Sequence, residues 1–375
     1  MTKKKELLYS YVTISSDALR INRNAKCYYE TALKFFLPVE VIPEIDGFRL
    51  NLGKQHYYFS GVGAPFNNSG SIAASRNKYS MNRILDRAGF PVPKATSLHI
   101  SEYQQGMLEE KISKLSFPLV AKPLLGKLGR DVLCNIQTLE QLKKYLDENL
   151  PYYEFVTIEE FHGNLNSYRV LIFNKRVIGV VQRYPAEVCG DGIHTLRELI
   201  DITNDKRSTI SDTLSPITVD EECEIRLKEL GLDLSYVPKK DESVILGYTS
   251  NASRGGTYCS LGNKICKENR RLLIRAANEL NITLVGFDVQ CTDINIPIET
   301  SQGIIIEAND GPSVRIHEYP MAGYPVKVTR KIIRSYIYRH PLLYLKVLYE
   351  NRHTALYFRV SLLVVFLLAL TVILL

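Results

Sequence analysis

Asp288, Glu307 and Asn309 are the residues of this chain whose types and spacing most readily support chemistry. Asp288 sits in the run 282–289, ITLVGFDV, and Glu307 and Asn309 follow the run 304–306, III. Both runs are short, apolar and rich in β-branched residues, which predicts buried strands. The polar stretch between them has hairpin character, so the strands are expected to pair and bring three oxygen-bearing side chains together. Along a strand Glu307 and Asn309 point to one face and Ala308 to the other. Two carboxylates and an amide, with no Cys or His, form a hard-oxygen set suited to Mg²⁺ holding a nucleotide phosphate. On spacing alone, an ordinary hairpin with its polar residues in solvent fits equally well.

The elements around this stretch alternate between the two periods of regular structure. A helical pattern starts at Asn77, with Tyr79, Met81, Ile84, Leu85 and Ala88 on one face, and ends at Gly89. A second helix is expected over about 101–114, then an apolar strand from Phe117 to Ala121 ending at Lys122-Pro123. The loop 124–131, LLGKLGRD, follows; its glycines can turn backbone N–H groups toward an anion, although the phosphate-loop consensus is absent. A helix over 138–149 leads to the strand 155–159 and the acidic turn Glu159-Glu160-Phe161, a candidate hinge. Strands near 168–173 and 176–183 come next, then a capped helix within 190–207 and a second Gly-rich loop, 251–257, NASRGGT. Helices over 267–280 and 325–338 frame the opening stretch, with an irregular loop over 311–320 carrying Arg315 and His317.

With 375 residues, 45% of them hydrophobic and 23% charged, the chain is long enough for two or three folded domains. The net charge of +7 is modest, and no basic array interleaved with aromatics appears, so nucleic acid is not an expected partner. The seven cysteines are scattered, odd in number and free of any CxxC, which argues for reduced thiols in the cytosol and against structural zinc. Met1-Thr2-Lys3-Lys4-Lys5 leads into a mixed polar segment rather than the apolar core of a secretory signal. Residues 355–375, ALYFRVSLLVVFLLALTVILL, carry one charge, Arg359, and have the length a bilayer requires of one helix. The expectation is a single-pass C-terminal anchor with the folded part in the cytoplasm, entered through an amphipathic lead-in containing Leu342, Leu343, Leu345, Val347 and Leu348.

Taken together, the blocks SIAASRNKYSMNRILDRAGFPVP, VAKPLLGKLGRDV, IEEFHG followed by YRVLIFNKRVIGVVQRYPAEVCGDGIHTLRELI, NASRGGT, and GFDVQ followed by GIIIEANDGPSVRIHEYP resemble the ATP-grasp domain of cyanophycin synthetases. That domain belongs to the superfamily of glutathione synthetase and RimK-type ligases, and the resemblance spans roughly residues 51–335. It implies an α/β (α+β) ATP-grasp fold with two lobes closing on ATP. The expected divisions are an N-terminal region over 1–75, an N-terminal lobe over 76–155, a C-terminal lobe over 156–338, and the lead-in and anchor over 339–375.

Position by position, the resemblance implies that Lys78 and Lys122 hold ATP phosphates from opposite faces of the cleft. The loop containing Gly126, Gly129 and Arg130 would close over them, and Glu159, Glu160 and the backbone of Phe161 would meet the adenine. Asp288, Glu307 and Asn309 would bind Mg²⁺ or Mn²⁺, and Arg183, Arg254 and Arg315 would serve the acyl phosphate, the γ-phosphate or an acidic substrate. Asn166-Ser167 stand where the family usually has an acidic ribose contact, and Asn77 where an Asp precedes the first lysine. The implied activity is an ATP-dependent, ADP-forming ligase joining a carboxylate substrate to an amine substrate. The rivals are a nucleotide-binding module that has lost catalysis and recruits partners to the membrane, and a kinase that stops at phosphorylation. A homo-oligomer is compatible with all three.

Overall fold

The computed structural model describes residues 21–125, 131–163, 165–210 and 214–374. Gly126, Gly129 and Arg130 lie outside the described residues. The chain forms two compact units, one from residues 1–66, 311–318 and 326–375 and the other from residues 67–310 and 319–325.

In the first unit, the helix Arg23–Lys34 begins at Asn22, whose side chain accepts from the Asn24 N–H. Its buried face, including Ala25, Tyr28, Tyr29 and Ala32, packs on an antiparallel meander of β1 Val39–Ile42, β2 Gly47–Leu52 and β3 Gln55–Ser60. Tyr28, Phe48 and Phe59 form an aromatic cluster there, with the Phe48 and Phe59 rings stacked 4.7 Å apart. The helix Val328–Arg339 groups with this unit, its Thr329 hydroxyl 2.6 Å from that of Thr31. Segment 311–318 belongs here too, and within it Arg315–Glu318 is a short helix where an irregular loop was expected. Two further helices follow, Pro341–Glu350 and Ala355–Leu374. Within the latter, Ala355–Ile373 has a mean hydropathy of 2.5, is unburied within the chain, and is long and apolar enough to cross a membrane.

The second unit contains two sheets. The smaller comprises β4 Ala95–His99, β5 Leu119–Pro123, β6 Leu133–Ile136 and β7 Phe155–Glu160 in the order β4-β7-β5-β6, all neighbours antiparallel. One face carries Leu98, Leu119, Ala121, Val156 and Ile158 into a core closed by the helix Leu139–Tyr153. The expected helix over 101–114 divides into Ile100–Gln104 and Leu108–Ile112. Gly106 lies between them with φ +75°, a conformation that stops a right-handed helix.

The larger sheet is built from β8 Asn166–Phe173, β9 Arg176–Tyr184, β12 Thr257–Gly262, β13 Leu284–Cys291, β14 Ile304–Asn309 and β15 Ala322–Gly323, in the order β14-β13-β8-β9-β12-β15. Tyr168, Val170, Ile172, Val285, Phe287, Val289 and Ile305 point to one face. There they bury against the helices Lys78–Arg87 and Lys267–Glu279, through Met81, Leu85, Leu272, Leu273 and Ala276. The alternate residues of the same strands are left on the opposite face. Between β9 and β12 a smaller body, with β10 Glu187–Cys189 paired to β11 Ser243–Ile245, carries its own core around Leu196, Ile200, Leu227 and Leu246.

Candidate functional site

Register places the polar residues of the larger sheet in rows. Asp288 pairs directly with Glu307 on one side and Arg169 on the other, Asn309 pairs with Gly286, and Ser167 pairs with Arg183. Glu307 and Asn309 therefore share a face with Asp288, Arg169, Ser167 and Arg183, the face turned away from the apolar core. A bulge between Asp288 and Val289 interrupts the β13–β14 ladder next to these side chains.

Asp288 is the electrostatic centre of the row and is buried, at 7% exposure. Arg169 grips both its oxygens, through Nε to Oδ1 and through Nη2 to Oδ2 at 3.1 Å, and Arg183 Nη2 reaches Oδ2 at 3.1 Å. Burial alone would raise the Asp288 pKa; the two guanidiniums outweigh it and hold the carboxyl below its ordinary range. Desolvation lowers the Arg183 pKa, against the pull of Asp288. Ser167 Oγ accepts a further bond from Arg183 at 3.2 Å, and the Asn166 side chain donates to the Thr292 carbonyl at 2.7 Å. Asn166 and Ser167 thus support the sheet and Arg183.

The smaller sheet presents a second polar row. Lys122 pairs with Thr157, and Val120 with Glu159, so Lys122, Thr157 and Glu159 lie on the face opposite its core. Lys122 Nζ donates to Glu159 Oε1 at 2.6 Å, with both side chains nearly inaccessible. Lys78 opens the helix Lys78–Arg87 and is also buried; its Nζ donates to the Pro123 carbonyl at 3.4 Å. Asn77 is the helix cap, its side chain accepting from Ser80 N–H at 2.8 Å. Desolvation is the chief cause lowering the Lys78 pKa; Glu307 opposes it, Lys122 adds to it, and Glu159 opposes it more weakly. Glu307 also acts on Arg169 and Arg183, so the two rows lie within electrostatic reach of each other. Four cations, Lys78, Lys122, Arg169 and Arg183, here face three carboxylates, an excess suited to an anionic ligand.

The other expected site residues fall differently. Glu160 Oε1 accepts from Ser116 N–H at 3.0 Å and from Lys94 at 3.4 Å. The Phe161 N–H donates to the Pro118 carbonyl at 2.9 Å, which leaves its carbonyl as the backbone group for a base edge. Arg254 joins the smaller body: it pairs with Asp220 and, at 2.8 Å, with Glu222 Oε2. Its loop is shaped by Gly255, at φ +90°, and by Gly256, where a Cβ would stand 2.7 Å from the Tyr184 carbonyl. The buried Arg207 fastens that loop by donating to the Gly256 carbonyl at 3.1 Å. Arg315 lies in the unit that begins the chain. Arg169 is not among the residues expected from sequence; it comes opposite Asp288 only when β8 and β13 pair.

Among the described residues no group of three or more His, Cys, Asp or Glu could hold a metal ion. Of the expected ligands, Glu307 and Asn309 offer oxygens suited to a hard divalent cation, whereas both oxygens of Asp288 are engaged by Arg169 and Arg183 and would have to be shared with it. Glu307 has no ion pair among the described residues, and Asn309 Nδ2 donates to the Gly286 carbonyl at 3.3 Å, which leaves its Oδ1 as acceptor. Two buried polar atoms on these faces, Thr157 Oγ1 and Arg183 Nε, lack a partner among the described residues. Orphans of that kind mark places where a polar ligand completes the network.

Comparison with known proteins relates the chain to a family. Residues 75–253 match the RimK-like ATP-grasp domain. The chain is 32% identical over 264 residues to cyanophycin synthetase of Synechocystis sp., a stretch covering 68% of this chain and 30% of that protein. It is 28% identical over 270 residues to the glutathione biosynthesis bifunctional protein of Pasteurella multocida, covering 69% of this chain and 35% of that protein. The chain thus spans about a third of the length of these curated relatives. A crystal structure of a bifunctional glutathione synthetase from Pasteurella multocida superposes with a TM-score of 0.58 at 22% identity, over 85% of this chain and 44% of that one, a likeness of fold.

Proposed function

Because the chain belongs to the RimK-like ATP-grasp family, we propose that it is an ATP-dependent carboxylate–amine ligase, held at a membrane by its C-terminal helix. The observation that carries this reading is the pair of polar rows. Four cations, three carboxylates and Asn309 come together from two sheets and the first turn of the helix Lys78–Arg87, all in one unit, with buried orphan atoms on both sheet faces. In this reading Lys78 and Lys122 offset the charge of the ATP phosphates, and the backbone after Glu159 meets the adenine. Asp288, Glu307 and Asn309 would hold Mg²⁺, which when bound supplies charge neutralisation at the phosphates.

The reaction proceeds in two displacements. A carboxylate oxygen of the acid attacks the γ-phosphorus of ATP, breaking the bond to the bridging oxygen and giving an acyl phosphate and ADP. The amine then attacks the acyl carbon; phosphate departs, a proton is lost from nitrogen, and an amide forms. No nucleophilic side chain is consumed, so the residues act by positioning and electrostatics. Arg169 and Arg183 carry positive charge beside Asp288, where they can take the transferring phosphoryl oxygens, and their mutual repulsion is balanced by that carboxylate. Burial of Asp288, Lys78, Lys122 and Glu159 limits access of the water that would otherwise hydrolyse an acyl phosphate.

The test is mass spectrometry of products from purified protein incubated with ATP, Mg²⁺ and a library of amino acids and peptides. ADP and a new amide in equal amounts are expected. A phosphorylated acid without amide would make the protein a kinase, and nucleotide binding without ADP release would make it a binding module.

A further inference from the structure

The helix preceding the apolar one sorts its residues by face. In Pro341–Glu350 Val347 is buried and Leu343, Tyr344 and Leu348 are half-buried, so these four pack inward. Leu342, Leu345, Lys346 and Tyr349 face out, with Leu342 at 79%, Leu345 at 43% and Tyr349 at 45% exposure. Their spacing of i, i+3, i+4 and i+7 is a single helical stripe. The lead-in read from the sequence as one amphipathic group is therefore divided: Leu343, Val347 and Leu348 serve the unit's own core, while Leu342 and Leu345 are left uncovered.

The junction with the apolar helix is braced. Asn351 is fully buried, its Oδ1 accepts from His353 N–H at 2.9 Å, and its carbonyl accepts from Ala355 N–H at 2.7 Å. Thr354 Oγ1 donates back to the Leu348 carbonyl at 2.7 Å. Arg359, the one charge of the apolar helix, donates to the Tyr349 carbonyl at 3.4 Å and lies 4.4 Å from the Tyr349 ring centroid. A lone arginine near the end of a span snorkels to the headgroup level, where tyrosine is also favoured, so this contact fixes the depth of Tyr349. Leu342 and Leu345 follow along the same stripe. From Lys327 to Tyr349 the chain has no acidic residue; Glu350 follows and lies 3.7 Å from Lys346 in an exposed pair, while Arg334, Arg339, Lys346 and Arg352 are exposed.

We propose that Leu342, Leu345 and Tyr349 lie in the interfacial layer of a bilayer while Arg339, Lys346 and Arg352 engage anionic headgroups. The unit is then docked on the lipid surface in a fixed orientation, not tethered above it. The inference rests on the membrane-anchoring reading and adds a second, peripheral contact to it. The apolar face of such a helix enters the headgroup–acyl boundary by about 5–10 Å.

The sequence contains no tryptophan, so a single introduced one reports alone. The full chain is reconstituted in vesicles of phosphatidylcholine and phosphatidylglycerol whose acyl chains are brominated near the headgroup. It carries Leu345→Trp, Val365→Trp in the apolar helix, or Tyr152→Trp at a site 83% exposed in the other unit. Leu345→Trp and Val365→Trp are expected to lose roughly half their emission or more relative to unbrominated vesicles, and Tyr152→Trp none. Quenching of Val365→Trp with water-like emission from Leu345→Trp overturns docking while anchoring stands. Blue-shifted but unquenched Leu345→Trp emission means that protein covers the stripe, which also overturns docking. Failure of both to quench removes the anchor and the docking together. Replacing Arg339, Lys346 and Arg352 with Gln in the Leu345→Trp background is expected to reduce quenching about twofold in the anionic vesicles and leave it unchanged in pure phosphatidylcholine. Equal quenching in both overturns the headgroup contact.

Discussion

Replacing Glu307 with Gln keeps the side chain's volume and one oxygen while removing the charge that a divalent cation needs. Glu307 is half-buried and has no ion pair among the described residues, so the unliganded fold should change by no more than about 0.5 kcal/mol. Ligand binding should change far more. With Mg²⁺–ATP at about 100 times its dissociation constant, the wild type gains about 2.7 kcal/mol of stability. For a unit of this size that is a rise in Tm of roughly 5–10 °C. Loss of a supporting residue around a metal commonly costs 10–100-fold in metal affinity, and loss of a direct ligand should cost no less. At a 100-fold loss the same ligand concentration only equals the new dissociation constant, so the gain falls to about 0.4 kcal/mol and the shift to about 1 °C. Turnover should fall on the order of 10²–10³-fold. Differential scanning fluorimetry with and without Mg²⁺–ATP, paired with coupled ADP release, measures both. An undiminished thermal shift and undiminished turnover would refute the metal assignment, whatever the fate of the fold.

Asp288→Asn should behave differently because it also leaves two buried guanidiniums facing each other: a loss of about 3–5 kcal/mol by urea unfolding, beyond the loss of ADP release. The wild-type carboxyl is held below its ordinary pKa, so its contribution is complete above the unfolded value near ~4 and disappears as pH falls through the folded one. The stability gap between the two proteins should therefore close in acid. Lys78→Met removes a buried ammonium whose charge is opposed by desolvation. The unliganded protein should be as stable as wild type or more so at pH 7, with nucleotide affinity, measured calorimetrically, falling at least about tenfold. Gly256→Ala places a Cβ 2.7 Å from the Tyr184 carbonyl, and thermal unfolding should register a loss of about 1–3 kcal/mol.

Much of the fold could be read from residue patterns because the strands at its centre are buried on one face and polar on the other. Val285, Phe287 and Val289 alternate with Gly286 and Asp288, and that period gives the strand and its two faces, whereas Ile305 and Glu307, two residues apart, reach opposite faces only through the bulge opposite Asp288 and Val289. The partners of those residues were less legible. Arg169 and Asp288 are 119 positions apart, and no local pattern announces a pair that exists only once β8 and β13 are in register. Arg254 presents the opposite case: a basic residue in a Gly-rich loop reads like an anion ligand, yet Asp220 and Glu222, more than 30 positions upstream, engage it. Residues 311–318 and the helix that follows, expected within a C-terminal lobe over 156–338, group with the N-terminal meander, a long-range association that no local pattern encodes.

That division has a mechanical consequence. The backbone passes from one unit to the other four times, at residues 66–67, 310–311, 318–319 and 325–326, and the second passage comes two residues after Asn309. Arg76 clamps the last residue before it, Asp310, with two bonds of 3.0 Å. No single cut can free either unit, and an intact β15 depends on residues threaded through both. Force applied through the C-terminus would therefore load the Tyr57–His340 and Thr31–Thr329 contacts and then the pairing of β15 with β12 before it reached Asp310 and the end of β14.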